Sequence, residues 1–350
     1  MPVLAVVALV VTWGRELGTV PVVIVAVVLA GAVLAAVHHA EVVAHRVGEP
    51  FGSLVLAVAV TVIEVALIVT LMVSGGPESA SLARDTVFAA LMITTTGIVG
   101  LSLLVGARQF NVTLFNAEGS GAALATVTTL AALSLVLPTF TTSQPGPEFS
   151  SAQLTFAALA SLALYVMFVM FQTVGHRDFF LPVAQTDQDD ADEHAPPPST
   201  RAAVTSLGLL LVALVAVVGL AKVESPAIEA SVEAVGFPPS FVGVVIALLV
   251  LLPETLAATR AARRGRIQTS LNLAYGSAMA SIGLTIPTIA LASIWLDGPL
   301  VLGLGATQLV LLALTVVVSV LTIVPGRATR LQGGVHLVLL AAFLFLAVNP

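Results

Sequence analysis

Cysteine is missing from this sequence altogether. That excludes disulfides and thiolate-ligated metals, and leaves the compartment open. Charge is scarce as well: Asp, Glu, Lys and Arg make up 9% of the residues, against roughly a quarter in a soluble domain. The formal net charge of −6 comes largely from one short segment and does not describe a surface. The sequence contains no P-loop, no Gly-x-Gly-x-x-Gly after a strand and no His-Glu-x-x-His. Nothing therefore points to ATP hydrolysis, and any energy input should come from an ion gradient. The first apolar run lacks a basic leader and a small-residue cleavage site, so no cleavable signal is expected.

What remains is apolar. Of the 350 residues, 58% are hydrophobic, and the mean hydropathy is +1.08. Crossing a bilayer core takes roughly 20 such residues in a helix. Candidate spans are 2–13, 19–37, 52–74, 86–106, 119–138 and 152–173, then 204–221, 239–258, 270–295, 300–324 and 332–349. A membrane barrel would alternate polar and apolar residues instead. The fold class expected is therefore an all-α polytopic membrane protein of about eleven helices. Six precede a polar linker, about 175–201, which contains DQDDADEHAPPP; five follow it. Clustered acids and prolines suit a mobile tether, and weak calcium binding by the acids is a second reading.

Arg and Lys set orientation. The loops after the even-numbered spans hold Arg46, Arg108, Arg177, Arg201, Arg260, Arg263, Arg264, Arg266, Arg327 and Arg330; those after the odd-numbered spans hold Arg15, Arg84 and Lys222. The first set should be cytoplasmic, and with it the amino terminus and the acidic linker. The loop RAARRGR (260–266) suits contact with anionic lipid headgroups, and nothing calls for nucleic acid.

Two acids lie well inside predicted spans, Glu64 and Glu254. Setting one over the other aligns FGSLVLAVAVTVIEVAL (51–67) with FVGVVIALLVLLPETLA (241–257). The next span aligns too: TTTGIVGLSL (94–103) over SAMASIGLTI (277–286), pairing Thr94 with Ser277, Gly100 with Gly283 and Ser102 with Thr285. The two glutamate spans are the third and the eighth, an odd number of crossings apart, so the repeats enter the membrane from opposite sides. Inverted repeats with a site at their midplane interface are an architecture of secondary transporters. The expected domains are a first helix (1–18), one repeat half (19–174), the linker (175–201) and a second half (202–350).

A carboxylate at a helix centre costs about 2.5–3.5 kcal/mol on insertion scales. A proton or a neighbouring cation removes that cost, and two facing carboxyls make the two compete. Thr61 lies one turn before Glu64 on the same face. Pro253 cannot donate to the carbonyl of Leu249 and should loosen its helix; carbonyls freed this way are hard oxygen ligands. Thr94, Ser277 and Ser281 are further hydroxyl candidates, though such groups also bond their own helix. Asn272 and His336 read as capping and packing residues. HHAEVVAHRVGEP (38–50) reads as a solvated connection, or as a metal or proton cluster built on His39, Glu41 and His45. A channel would need a continuous polar path, and only a midplane cluster is present. The residue pairs of an intramembrane enzyme cannot be assembled from these spans.

The stretches HAEVVAHRVGEPFGSLVLAVAVTVIEVALI (39–68) and LLPETLAATRAARRGRIQTSLNLAYGSAMASIGLTIP (251–287) resemble the calcium/cation antiporter superfamily. They are most similar to its bacterial ChaA-type calcium/proton and sodium(potassium)/proton antiporters. The resemblance implies eleven helices, two inverted five-helix halves after an extra first helix, and alternating access in a bacterial inner membrane. It implies ion binding at Glu64 and Glu254 and, more loosely, at Thr94 and Ser277. No cofactor is implied; the partners are calcium, sodium or potassium, protons, and membrane lipid, with a homo-oligomer compatible. One departure matters. Calcium/proton exchangers of this group read Gly-Asn-Ala-x-Glu in both repeats, whereas this chain reads Val60-Thr61-Val62-Ile63-Glu64 and Val250-Leu251-Leu252-Pro253-Glu254. Calcium takes 6–8 oxygens, so the loss of two amide oxygens opens the site to sodium and potassium.

Overall fold

The computed structural model describes residues 1–15, 17–48, 51–74, 80–183, 198–295 and 298–350. Most of the acidic linker, with its DQDDADE run, lies outside the described residues. In chain order the helices are α1 (Pro2–Thr12), α2 (Thr19–Val47), α3 (Phe51–Ser74), α4 (Leu82–Met92), α5 (Val99–Phe110), α6 (Ala117–Ala131), α7 (Leu137–Phe140) and α8 (Ser151–Met170). There follow α9 (Thr200–Ala234), α10 (Phe241–Val250), α11 (Leu252–Arg263), α12 (Ile267–Gly283), α13 (Thr285–Ala292), α14 (Ala306–Ile323) and α15 (Arg330–Val348). π-helical turns join α4 to α5 (Ile93–Ile98) and α6 to α7 (Ala132–Val136), so each pair is one span. Two three-residue strands, Val112–Leu114 and Arg327–Thr329, pair antiparallel and tie the end of α5 to the start of α15.

Among the described residues, eight helices are long and apolar enough to cross a membrane. The pair α10–α11 makes a ninth, bent by 53° at Leu251. Pro2–Thr12 and Val58–Thr70 are apolar but shorter, so eight or nine spans, rather than the expected eleven, are long enough among the described residues. Large apolar side chains stand exposed along α1, α2, α8, α9, α14 and α15, among them Val10, Val27, Leu159, Val215, Leu321 and Val338. In water such a surface would aggregate; against lipid tails it is at home.

Several elements run past their predicted ends. The stretch His38–Val47 continues α2 instead of forming a loop, and α9 reaches Ala234 through Pro226. At 1.5 Å per residue α2 is about 44 Å long, well beyond a bilayer core of about 30 Å. Polarity marks where lipid ends, whereas the helix ends at Gly48, whose φ of 77° suits glycine.

The packing respects a two-fold relation between α2–α8 and α9–α15. Helix α2 packs on α9. Helix α4 packs on α10, and α12 with α13 packs on α3; α5 packs on α15, and α12 with α13 on α8. The glycines paired in the sequence make matched approaches. A Cβ on Gly100 would meet His336 Cβ of α15 at 2.9 Å, and one on Gly283 would meet Tyr165 Cβ of α8 at 2.7 Å. Two apolar cores result. One gathers α1, α2 and α9; the other gathers α4–α6, α8 and α12–α15. Helices α3 and α10 stand between them and give residues to both: Ile63 and Ile246 to the first, Ile68 and Val244 to the second.

Candidate functional site

Glu64 sits on α3 where the two cores meet, and it is 4% exposed. Ser281 of α12 donates a hydrogen bond to its Oε1 at 2.5 Å. The carboxyl closes one side of a chamber of about 10 Å³ between α3, α4, α10 and α12, room for about one water molecule. Thr61 lines the same chamber, as the one-turn spacing predicts, and its buried hydroxyl has no hydrogen-bond partner.

Glu254 enters from α11, the short helix that begins beyond the bend. The span 239–258 was expected as one helix loosened at Pro253; the structure breaks it at Leu251, and Pro253 falls in the first turn of α11. A proline there gives up only an amide that the helix start would leave unpaired. Glu254 lines a larger cavity of about 220 Å³ with Gln172, Thr269 and Asn272. Its Oε2 is buried with no hydrogen-bond partner. Val60, Ser277 and Ala280 line both cavities and form the partition between them.

Of the sequence candidates, Glu64, Thr61, Ser277 and Ser281 surround one chamber, with Glu254 across the partition. Thr94 is placed differently. It lies buried in the π-turn, and its hydroxyl donates to the carbonyls of Ala90 (2.8 Å) and Leu91 (3.0 Å) of its own helix. Only Ala90 reaches the Glu64 chamber. Asn272 donates to the Phe180 carbonyl and accepts from Gln268. His39 pairs with Ser206 at 3.3 Å. No three His, Asp or Glu side chains converge among the described residues, so His39, Glu41 and His45 form no metal cluster there.

Sequence reasoning missed Thr285 as a site residue. It begins α13, two residues beyond the end of α12, and its buried hydroxyl has no hydrogen-bond partner. The signal was present: Ser277, Ser281 and Thr285 recur every four residues, one face of a helix.

A second cavity, of about 270 Å³, lies between α4, α10, α14 and α15, lined by Arg84, Asp85, Phe88, Val244, Gln308 and Phe343. An ion pair, Arg84 to Asp85 at 2.8 Å, sits at this mouth. The cavity is the two-fold counterpart of the one beside Glu254, since α4 and α15 correspond to α12 and α8. It reaches Val244 of α10, and the Glu64 chamber begins one turn on, at Ala247. Phe88 packs edge-on against Phe343 in its lining, with ring centroids 5.7 Å apart. The arrangement is one glutamate beside an open cavity, one enclosed, and a closed layer about one helical turn thick on the far side.

A profile of the sodium/calcium exchanger protein family matches residues 17–174 and 205–349. The y4hA protein of Sinorhizobium fredii is 46% identical over 322 residues, covering 92% of this chain and 87% of that protein. The sodium-potassium/proton antiporter ChaA of Escherichia coli is 36% identical over 348 residues, covering 98% and 93%. Among solved structures, native YfkE superposes with a TM-score of 0.71 at 17% identity, over 99% of this chain and 96% of that one.

Proposed function

The chain belongs to the sodium/calcium exchanger protein family, and on that premise we propose how its cation/proton antiport works and what it carries. Glu64 and Glu254 bind cation and protons in turn. Two carboxylates balance one calcium, two monovalent cations or two protons, so occupancy by one excludes the others. Calcium is the first substrate, with sodium and potassium carried at the same site. Ser281, Thr61, Ser277 and Thr285 supply hydroxyl oxygens where amide oxygens are missing. The residues before Pro253 supply backbone oxygens, and Thr94 contributes through the helix it shapes.

The halves 19–174 and 202–350 act as the inverted repeats. Helices α2 and α9 slide or rock against the rest to change access. The chain sits in a bacterial inner membrane with its amino terminus and linker inside, so the cavity beside Glu254 faces the cytoplasm. The observation that carries this reading is the matched pair of acids at the meeting of two-fold-related helices, Glu64 enclosed and Glu254 cavity-lining.

Competition flux in proteoliposomes tests it. With calcium, sodium and potassium offered singly against an imposed pH gradient, each should collapse the gradient, calcium at the lowest concentration. Calcium should also suppress sodium-driven proton movement. A calcium-insensitive sodium or potassium exchange would overturn the calcium assignment, and cation current without proton movement would overturn antiport.

Ser281→Ala separates binding from turnover. A hydrogen bond to a charged group is worth about 1.5–3 kcal/mol, so the cation concentration for half-maximal exchange should rise about tenfold or more. The rate at saturation should stay within about twofold. An unchanged half-saturation would remove Ser281 from the site.

A further inference from the structure

Three consecutive buried threonines, Thr94, Thr95 and Thr96, occupy the π-turn between α4 and α5. Each hydroxyl folds back on a carbonyl of the preceding turn; those of Thr95 and Thr96 reach Leu91 at 2.6 Å and Met92 at 2.5 Å. A π-turn carries an extra residue, so its backbone bonds skip a partner. Here the Val99 amide, which an α-helix would give to Thr95, bonds the carbonyls of Thr94 and Thr96 instead.

The bypassed Thr95 carbonyl receives a hydrogen bond from another helix. His336 of α15 is fully buried, with Nδ1 3.0 Å from that oxygen. A carbonyl can only accept, so Nδ1 carries the hydrogen; Nε2 lies 3.1 Å from Thr322 Oγ1 of α14, whose hydroxyl donates to the Val318 carbonyl at 2.8 Å. His336 gets this close because Gly100 has no side chain, its built Cβ lying 2.9 Å from that of His336. On its other side the π-turn packs against α11 and α12, which carry Glu254, Ser277 and Ser281. Through Ala90, the acceptor for Thr94, it adjoins the Glu64 chamber.

We propose that His336 is a positioning residue for cation binding: its hydrogen bond to the Thr95 carbonyl keeps the π-turn wound, and the wound turn fixes which face α4 shows to the Glu64 chamber. This rests on the glutamate site proposed above. One residue is about 100° of helix rotation, so relaxation to an α-helical register would turn α4 against α5 by about that angle. The stored-register role gives buried Thr94 a use that its own inward hydrogen bonds deny it as a direct ligand.

The test compares His336→Asn with His336→Gln. Asparagine places an amide N–H near the position of Nδ1, whereas glutamine places it near Nε2, on the Thr322 side. In proteoliposomes His336→Gln and His336→Ala should raise the half-saturating cation concentration about tenfold while the maximal rate stays within about twofold. His336→Asn should stay within about threefold of the parent chain on both, as should Thr322→Ala. If the alanine variant does not fold, the Asn–Gln contrast decides alone. Equal behaviour of Asn and Gln, or a maximal rate falling in step with folded yield, would overturn the proposal. The rise in melting temperature on adding calcium or sodium to detergent-solubilised protein gives a second readout. It follows the same contrast and requires no exchange, so failure of the glutamate reading, seen as persistent exchange by Glu64→Gln, is told apart.

Discussion

Glu64→Gln and Glu254→Gln, each alone, should reduce cation-dependent proton movement in proteoliposomes by at least about a hundredfold while the protein still inserts and purifies at parental yield. The size follows from burial. Removing one partner of a buried charged pair costs about 3–5 kcal/mol, which is roughly two to four orders of magnitude in binding. Glutamine keeps the shape and an accepting oxygen for Ser281, so the chamber stays filled. It cannot take up or release a proton, so it also breaks the competition on which exchange depends. The enclosure of Glu64 (4% exposed) leaves no bulk water to stand in for the lost carboxylate. Exchange above a tenth of the parental rate in either variant would sink the assignment of that carboxyl.

Gly333→Ala and Gly334→Ala should differ as sharply as any neighbouring pair in the chain. A Cβ on Gly333 would lie 2.6 Å from the Leu104 amide nitrogen and 2.9 Å from the Gly100 carbonyl oxygen. Both are backbone atoms, so α5 and α15 would have to separate. Overpacking of this kind costs typically 1–3 kcal/mol, and separation would also lengthen the bond from His336 to Thr95. A Cβ on Gly334 would meet nothing within 4 Å, and alanine is the better helix former by about 1 kcal/mol. Melting in detergent should therefore fall by several degrees for Gly333→Ala and stay level or rise for Gly334→Ala. Equal melting of the two variants would mean that the close approach of α5 and α15 does not hold the fold together.

Much of this fold was legible because lipid is an undemanding solvent. Apolar runs of about twenty residues report their own helices without reference to partners, and a carboxylate inside one of them stands out. Glu64 and Glu254 were found in this way, and aligning them paired Gly100 with Gly283. Hydropathy fails where the helix and the membrane part company, so α2 reached Val47 and α9 reached Ala234 unannounced. Pro253 signalled a weak point, and the break falls at Leu251, which leaves Pro253 in the first turn of α11. The π-turns left no mark because their register is fixed by other helices, as the bond from His336 to Thr95 illustrates. Site hydroxyls were only partly separable in sequence. Ser281 bonds Glu64 directly, whereas Thr94 turns its hydroxyl into its own helix.

The bend at Leu251 has no partner in the first half, where α3 runs unbroken from Phe51 to Ser74. A carrier with two interchangeable halves would rest equally in its two empty forms. On the exchange mechanism proposed above, one broken arm against one straight arm would set a resting bias instead, toward the form in which the cavity reaches Glu254. A site that is competent only part of the time loses apparent affinity in proportion to that fraction. The compartment on the Glu254 side would then meet a prepared site, and the opposite compartment one that must first be populated. The same two carboxylates would thereby be tuned to two different ambient ion concentrations, with the set-point written into the backbone instead of the ligands.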